Sequence, residues 1–302
     1  MRDPALEHAC EIVAAARGGG GPLVQTFFDE ATSSATYLVR DPGSRACAVI
    51  DSVLGFDPSS GRTCNGPTEA LCAAIRAEGL EVAWILETHV HADHLSAAAR
   101  LKEAFGGRTA IGAAVTKVAD LFAGLIGPTR AEAAFDRLLR DGDRLSIGGL
   151  DGVVLAVPGH TPADVAFVIG DAVFVGDTLF MPDFGTARAD FPGADAALLY
   201  ASIQRLLSLP PETRLFTCHD YKAPGRDAYA WETTVAAERV GNVHVREGVT
   251  EAEFVALRRA RDATLPVPKL IWPALQVNLR GGRLPEPEPD GGRYLKIPVN
   301  AI

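Results

Sequence analysis

The sequence predicts an α/β protein built as a four-layer αββα sandwich. Short apolar runs typical of strands alternate with amphipathic helical segments along the 302 residues. Polar residues able to bind a metal follow several of these runs, between positions 89 and 219. One active site therefore draws on two sheet-and-helix halves that meet along a shared edge, which is the arrangement of such a sandwich.

The first 22 residues predict a helical arm that precedes the catalytic domain. An alanine-rich helix is expected over 4–16, and the four consecutive glycines at 18–21 cannot hold a helix and indicate a flexible joint. We therefore place a helical arm with its glycine linker at 1–22 and one catalytic domain at 23–302. The arm is interpreted as an appendage that packs between subunits.

The first half of the domain alternates strands and helices. Apolar runs predict strands over 36–39, 46–51 and 82–86. Residues 52–67, which are rich in Gly, Pro, Ser and Asn, are expected to form a long loop with a functional role. Helices are predicted over 68–77, where Gly79 ends the helix, and over 96–105.

The second half continues the alternation. Strands are predicted over 109–111, 144–147 and 153–157, and a hairpin over 165–170 and 172–176. A clear amphipathic helix spans 195–209, and further helical pieces are expected near 228–240 and 250–262. The segment after Leu265 is apolar and rich in proline, which is typical of a packing strap and is our reason to consider a homodimer.

The most informative motif lies directly after the strand at 82–86. It contains His89, His91, Asp93 and His94 within six positions. Neutral imidazoles and carboxylates are the side chains that bind zinc or iron. A strand end followed by a tight loop directs such side chains to one point, so the motif predicts a metal centre.

Three later motifs add further ligand candidates. His160 follows the strand at 153–157, Asp177 follows the second strand of the hairpin, and His219 follows the apolar run at 214–216. A single histidine or aspartate at a strand end usually caps a turn. Five of the seven histidines fall in these motifs, however, and their repeated position predicts that they meet at one sheet edge.

Composition excludes several other classes of protein. A net charge of −9 without a Lys/Arg cluster argues against a nucleic-acid surface, and no apolar stretch reaches the eighteen residues of a membrane span. The N-terminal residues do not form the apolar core of a secretory signal, so we expect a cytoplasmic protein. The five cysteines contain no C-x-x-C pair and predict neither a disulfide framework nor a zinc knuckle.

The order of these motifs along the chain resembles that of the metallo-β-lactamase superfamily. The order is H-x-H-x-D-H at 89–94, P-G-H-T at 158–161, G-D at 176–177 and a final His219. The residues at 87–94, 176–180, 185–191 and 219–221 resemble the persulfide dioxygenase branch, and within it the bacterial β-lactamase-like hydrolase group. The likeness covers residues 23–302 and implies the αββα fold.

The resemblance implies two alternative metal sites. The superfamily pattern predicts a two-zinc hydrolase, whose ligands would be His89, His91 and His160 for one ion, and Asp93, His94 and His219 for the other, with Asp177 bridging. The persulfide dioxygenases instead hold one Fe(II) per chain at the positions of His89, His160 and Asp177, which leaves coordination positions open for O2 chemistry. The other four residues would then orient ligands and waters.

The preferred function from this resemblance is the oxidation of glutathione persulfide by O2 to sulfite and glutathione. Arg188 is the candidate for binding a glutathione carboxylate, since its fork of donors suits bidentate contacts. Tyr221 and Lys222 follow His219 and are predicted to line the same cleft. Ala187 and Ala189 stand where shorter family members carry Gly and Thr, which leaves the thiol carrier open.

Two other functions stay open. The first is a two-zinc thioesterase or lactonase similar to glyoxalase II, which would cleave S-acylglutathione without O2. The second is a non-catalytic module that binds metal or senses sulfur beside a transcriptional regulator. Turnover of a persulfide, turnover of a thioester, or metal binding without either would distinguish them.

Overall fold

Two six-stranded sheets form the centre of the computed structural model, which describes residues 2–301. The strands are β1 (Leu23–Asp29), β2 (Ser34–Arg40), β3 (Ala46–Ile50), β4 (Val53–Asp57), β5 (Arg62–Cys64), β6 (Glu81–Leu86), β7 (Leu95–Ser96), β8 (Arg108–Gly112), β9 (Arg137–Leu139), β10 (Arg144–Ile147), β11 (Leu150–Ala156), β12 (Val165–Ile169), β13 (Ala172–Phe174), β14 (Arg214–Phe216) and β15 (Glu232–Thr234). The helices are α1 (Pro4–Ala16), α2 (Gly66–Ala77), α3 (Ala98–Phe105), α4 (Val115–Ile126), α5 (Ala131–Ala134), α6 (Ala196–Leu207), α7 (Val235–Gly241), α8 (Glu251–Asp262) and α9 (Ile271–Asn278).

The first sheet has the strand order β1-β2-β3-β6-β8-β9, and the second has the order β10-β11-β12-β13-β14-β15. A small third sheet, β5-β4-β7, lies beside them. The hairpin predicted over 165–176 is present as β12 and β13, which pair antiparallel through Val168 and Val173.

The layers follow from the two-residue alternation of side chains along each strand. In β11, Val153 and Leu155 pack in the core under α1 and α6, whereas Val154 between them packs in the core between the two sheets. In β2, Tyr37 faces the inter-sheet core, and Leu38 faces the core formed with α2, α3 and α9. Helices therefore cover both outer faces, and the predicted four-layer sandwich is confirmed.

Helix α1 packs against the second sheet. Ala9 and Val13 are fully buried in the core with β11 and β12. Asp3 caps the first turn by accepting a hydrogen bond from the Leu6 backbone N–H at 3.1 Å, and it also pairs with Arg205 of α6 at 2.7 Å. The apolar face of this helix is thus covered within the chain, although the division into an arm and a domain at residue 22 stays a prediction.

The prediction of a long loop over 52–67 is wrong. Residues of this segment form β4 and β5, which pair antiparallel from Gly55 opposite Cys64 to Asp57 opposite Arg62. The Pro, Ser and Gly residues at 58–61 form only the tight turn between them, with Gly61 at φ +67°. The composition of the turn concealed two short strands, and Phe56 of β4 reaches the cavity described below.

The C-terminal part differs from prediction in two elements. The helix expected near 228–240 is shorter, because Glu232–Thr234 extends the second sheet as β15 and α7 begins only at Val235. The segment after Leu265 contains α9, which the proline-rich composition concealed. Across residues 2–301, none of the helices combines the length and the apolar character needed to span a bilayer.

Candidate metal centre

The candidate ligands follow the ends of central strands. β6 precedes His89, β11 precedes His160, β13 precedes Asp177, and β14 precedes His219. β3 pairs parallel with β6, and β13 pairs parallel with β14, so their carboxyl ends lie at the same edge. The loops at this edge of both sheets bring together residues that lie far apart in the chain.

His89, His160 and Asp177 form one compact group. The Oδ2 atom of Asp177 lies 3.8 Å from His89 Nε2 and 3.6 Å from His160 Nε2. Two ligand atoms that each lie about 2.1 Å from a shared ion can be at most about 4.2 Å apart. The spacing therefore fits a common metal, and the group is the triad predicted for one Fe(II).

The remaining predicted ligands lie directly beside this triad. Nε2 of His219 lies 3.3 Å from Asp93 Oδ2 and 3.3 Å from Asp177 Oδ1. The imidazoles of His91, His94 and His219 cluster with the Cys218 thiol, with one ligand atom of each within 4.8 Å of the others. Asp177 thus directs one oxygen to the triad and the other to this second group.

The donor set fits a cation. Among residues 2–301, six buried atoms of the cluster have no hydrogen-bond partner: His89 Nε2, His91 Nδ1, Asp93 Oδ2, His94 Nε2, Asp177 Oδ1 and His219 Nε2. Buried polar atoms without partners are costly, and here they face one another across a small space. Metal ions bound at the triad and at the second group would satisfy them.

The opposite ring nitrogens of the triad histidines are fixed by hydrogen bonds. His89 Nδ1 donates to the Thr88 hydroxyl at 3.0 Å, which in turn donates to the Asp51 carboxylate at 2.8 Å. His160 Nδ1 donates to the backbone carbonyl of Arg188 at 2.8 Å. These contacts leave Nε2 of each ring directed to the metal position, as is usual for metal-binding histidines.

Asp51 contacts the cluster directly, and the sequence did not single it out. Besides Thr88, it accepts a hydrogen bond from His91 Nε2 at 3.1 Å, and Glu87 Oε2 lies 3.3 Å from the same nitrogen. Asp51 adopts a left-handed backbone conformation with φ +52°, a strained geometry that is common at active sites. Its position directly after β3 is the same strand-end signal that marked the other ligands.

The imidazoles in the cluster differ in charge preference. Burial and the neighbouring imidazoles lower the pKa of His89 well below its usual value and the pKa of His94 to about 3, so both rings are neutral and able to bind a metal. Burial is the largest effect on His91 and opposes its charge, but the Asp51 carboxylate and the Cys218 side chain together outweigh burial and raise the pKa of His91 well above its usual value.

A cavity of about 620 Å³ opens onto the triad. His160, Asp177 and Asp93 form its floor, and its walls include the aromatic rings of Phe56, Phe180, Phe184 and Tyr221. The Tyr221 ring stacks on His219 with centroids 5.6 Å apart. The predicted position of Tyr221 in the cleft agrees with this arrangement.

Arg188 and Lys222 have other partners. Arg188 lines the cavity, but its guanidinium makes a bidentate pair with Asp190 at 2.5 and 2.7 Å and also donates to the Pro266 carbonyl. Lys222 is not among the residues that line the cavity, and its ammonium lies over the Tyr229 ring at 4.2 Å. Contrary to the prediction, Lys222 is therefore directed to Tyr229 and not into the cleft.

A buried ion pair on α8 holds the segment that carries Arg188. Arg258 pairs with Asp262 and donates to the Thr186 carbonyl at 3.0 Å, while Asp262 accepts from the Ala189 backbone N–H at 2.9 Å. The carbonyl between these two contacts belongs to Arg188 and orients His160. This support was missed, because its members lie about seventy residues from the segment they hold.

The chain belongs to the metallo-β-lactamase superfamily, whose family model matches residues 30–219. Its fold and site define a metal-dependent enzyme of that superfamily. A probable metallo-hydrolase of Burkholderia pseudomallei is 56% identical to this chain over 92% of it and 99% of the relative. A beta-lactamase hydrolase-like protein of Xylella fastidiosa is 54% identical over 93% of this chain, which spans only 65% of that relative's length.

Two further similarities concern function more closely. Glyoxylase B2 of Dictyostelium discoideum is 42% identical over 92% of this chain and 97% of the relative. The crystal structure of ETHE1 from Myxococcus xanthus superposes with a TM-score of 0.68 at 30% identity, and the match covers 86% of this chain and all of that one.

Proposed function

We propose that this protein is a persulfide dioxygenase that holds one Fe(II) at His89, His160 and Asp177 and oxidises glutathione persulfide. The likeness to ETHE1 supports this reaction, because the human protein that carries the name ETHE1 is named a persulfide dioxygenase. A homodimer and a cytoplasmic location stay predictions.

The observation that carries the proposal is the access to the triad. His160 and Asp177 line the cavity together with Asp93, and His89 lies behind them, 3.8 Å from Asp177, whereas His91, His94 and His219 are fully buried and do not line it. Two imidazoles and one carboxylate beside an open space form the arrangement that non-haem iron enzymes use with O2. The three additional histidines lie behind this face.

The overall reaction combines a persulfide, O2 and water into sulfite, the thiol and two protons. O2 accepts four electrons from the terminal sulfur, water supplies the third oxygen of sulfite, and the sulfur–sulfur bond breaks to release the thiol. Iron bound at the triad supplies the redox chemistry with O2. The chain itself orients His160 through the Arg188 carbonyl and shields the sulfur from bulk water with the rings of Phe180, Phe184 and Tyr221.

Reconstitution of the metal-free protein tests this function. Under anaerobic conditions the protein is loaded with Fe(II) or with Zn(II), and each form is assayed with glutathione persulfide in an oxygen electrode and with an S-acylglutathione. We expect about one iron per chain, O2 uptake only in the iron form, and no thioester cleavage. Binding of two zinc ions, thioester cleavage and no O2 uptake in either form would contradict the proposal.

A two-zinc hydrolase is the second candidate, and one observation favours it. The two oxygens of Asp177 face different groups, Oδ2 toward the triad and Oδ1 toward His219. This is the placement expected of a carboxylate that bridges two ions. The similarity to glyoxylase B2 agrees with thioester hydrolysis, and the reconstitution experiment separates the two candidates.

A further inference from the structure

The cavity walls carry an uneven distribution of charge. The two acidic residues in its lining, Asp93 and Asp177, both belong to the metal cluster. Away from that cluster, the charged residues of the lining within the described range 2–301 are all cations: Arg188, Arg258, Arg261 and Lys269. In a chain with a net charge of −9, this positive region is local and suits an anionic ligand.

Two of these four cations are neutralised within the chain. Arg188 is paired with Asp190, and Arg258 is paired with Asp262. The planar donors of Arg188 are therefore engaged before any ligand arrives, which argues against the carboxylate-binding role expected for it.

Arg261 and Lys269 are different. Within the part of the chain that the structure describes, residues 2–301, neither has a carboxylate within 4.0 Å, and their side chains make no hydrogen bonds. The Arg261 guanidinium lies 5.9 Å from the centre of the Phe184 ring, which holds it against the cavity wall. Two uncompensated cations therefore stand at the cavity, on α8 and on the segment before α9.

Aromatic rings connect these cations to the metal cluster. Tyr221 stacks on His219 with centroids 5.6 Å apart, Phe184 lies 5.3 Å from Tyr221, and Arg261 lies over Phe184. All of these residues except His219 line the same cavity, and Lys269 lines it too. A small peptide thiol with its sulfur at the triad can therefore run along these rings and direct its carboxylates toward the two cations.

We infer that Arg261 and Lys269 form a carboxylate-recognition site for the thiol carrier, so that the enzyme selects anionic persulfides over neutral ones. The reaction in this inference rests on the proposed function. Recognition of the carrier depends only on the cavity, and it applies equally to the thiol product.

Kinetics with charged and neutral carriers test the inference. Glutathione persulfide is compared with the persulfide of glutathione diethyl ester, in which both carboxylates are esterified. We expect R261Q to raise the KM for glutathione persulfide about tenfold or more, because a charge-assisted hydrogen bond is lost, and to affect kcat far less. The KM for the ester should stay unchanged, R261K should recover much of the loss, and K269Q should show a smaller change of the same kind.

Arg259 provides the matched control, since it is an exposed arginine on the same helix and does not line the cavity. R259Q is expected to leave KM unchanged for both carriers. Equal KM changes with both carriers in R261Q, or no change with either, would overturn the inference.

Failure of the proposed function would give a different result. In that case the wild-type enzyme consumes no O2 with either persulfide. Calorimetric titration of the metal-loaded wild type and R261Q with glutathione and its diethyl ester then still measures carrier recognition. Tighter binding of glutathione by the wild type, lost in R261Q, supports the carboxylate site, and equal binding by both proteins refutes it.

Discussion

Replacement of Arg258 by alanine is expected to destabilise the fold and to weaken the metal site at the same time. Arg258 is 1% exposed, and Asp262, its partner one turn further along α8, is 5% exposed. Removal of one member of a buried ion pair leaves the other charge uncompensated, which costs about 3–5 kcal/mol. Since domains are stable by only about 5–15 kcal/mol, R258A should lose a large fraction of its free energy of unfolding.

The same substitution should weaken metal binding through His160. Arg258 and Asp262 hold the backbone on both sides of Arg188, whose carbonyl accepts the hydrogen bond from His160 Nδ1. Loss of such a support typically lowers metal affinity about 10–100-fold. We expect R258A to bind Fe(II) or Zn(II) about tenfold more weakly.

Two assays and two controls test this reasoning. Urea unfolding of the metal-free protein measures stability, and competition with a chelating dye measures metal affinity. R259A, at an exposed site on the same helix, should stay within about 0.5 kcal/mol of wild type. Because R258A/D262A removes both charges, it should lose less than the sum of the single variants. Additive losses, or a loss in R258A no larger than in R259A, would refute the coupling.

Three further predictions address the metal, pH and the N-terminal helix. H160A should lose iron while H94A retains about one iron per chain, as measured by metal analysis, and equal loss in both variants would contradict the triad. Burial raises the pKa of Glu238 from 4.5 to about 8, so between these pH values the folded protein holds a proton on Glu238 that the unfolded chain has released, and stability falls as pH rises. In urea unfolding of the metal-free protein, the free energy of unfolding should fall with pH more steeply than in E238Q, by at most about 1.4 kcal/mol per pH unit. Equal slopes in the two proteins would count against this prediction. V13A should lower the free energy of unfolding by about 2 kcal/mol, because Val13 is fully buried. A15S, at an exposed position of the same helix, should change it little. Similar values for both variants would mean that α1 is not part of the core.

The fold and the ligand cluster were predictable because their signals are local in the sequence. Four apolar runs that became strands, β6, β11, β13 and β14, are followed within a few residues by His89, His160, Asp177 and His219, respectively. Strand ends in neighbouring parallel strands meet at one edge, so local order implies spatial proximity. Stretches dominated by turn residues concealed strands β4 and β5, because a strand of three to five residues leaves little periodic signal.

The supports of the site could not be predicted, because they join distant segments. Asn278 donates hydrogen bonds to the carbonyls of His91 and His94, each at 2.8 Å, from a helix more than 180 residues further along the chain. Lys222 was expected in the cleft because it closely follows His219, and Arg188 because its fork of donors suits a carboxylate. Their charges are instead directed to Tyr229 and Asp190, and such pairings depend on tertiary packing rather than on spacing.

The stoichiometry of the reaction tests the central claim most directly. Iron-loaded wild type is given glutathione persulfide in a closed oxygen electrode, and O2, sulfite and glutathione are measured in the same sample. A dioxygenase gives about one sulfite and one glutathione for each O2 consumed, as the balanced reaction requires. Release of glutathione without O2 consumption or sulfite would contradict it and assign the site to hydrolysis.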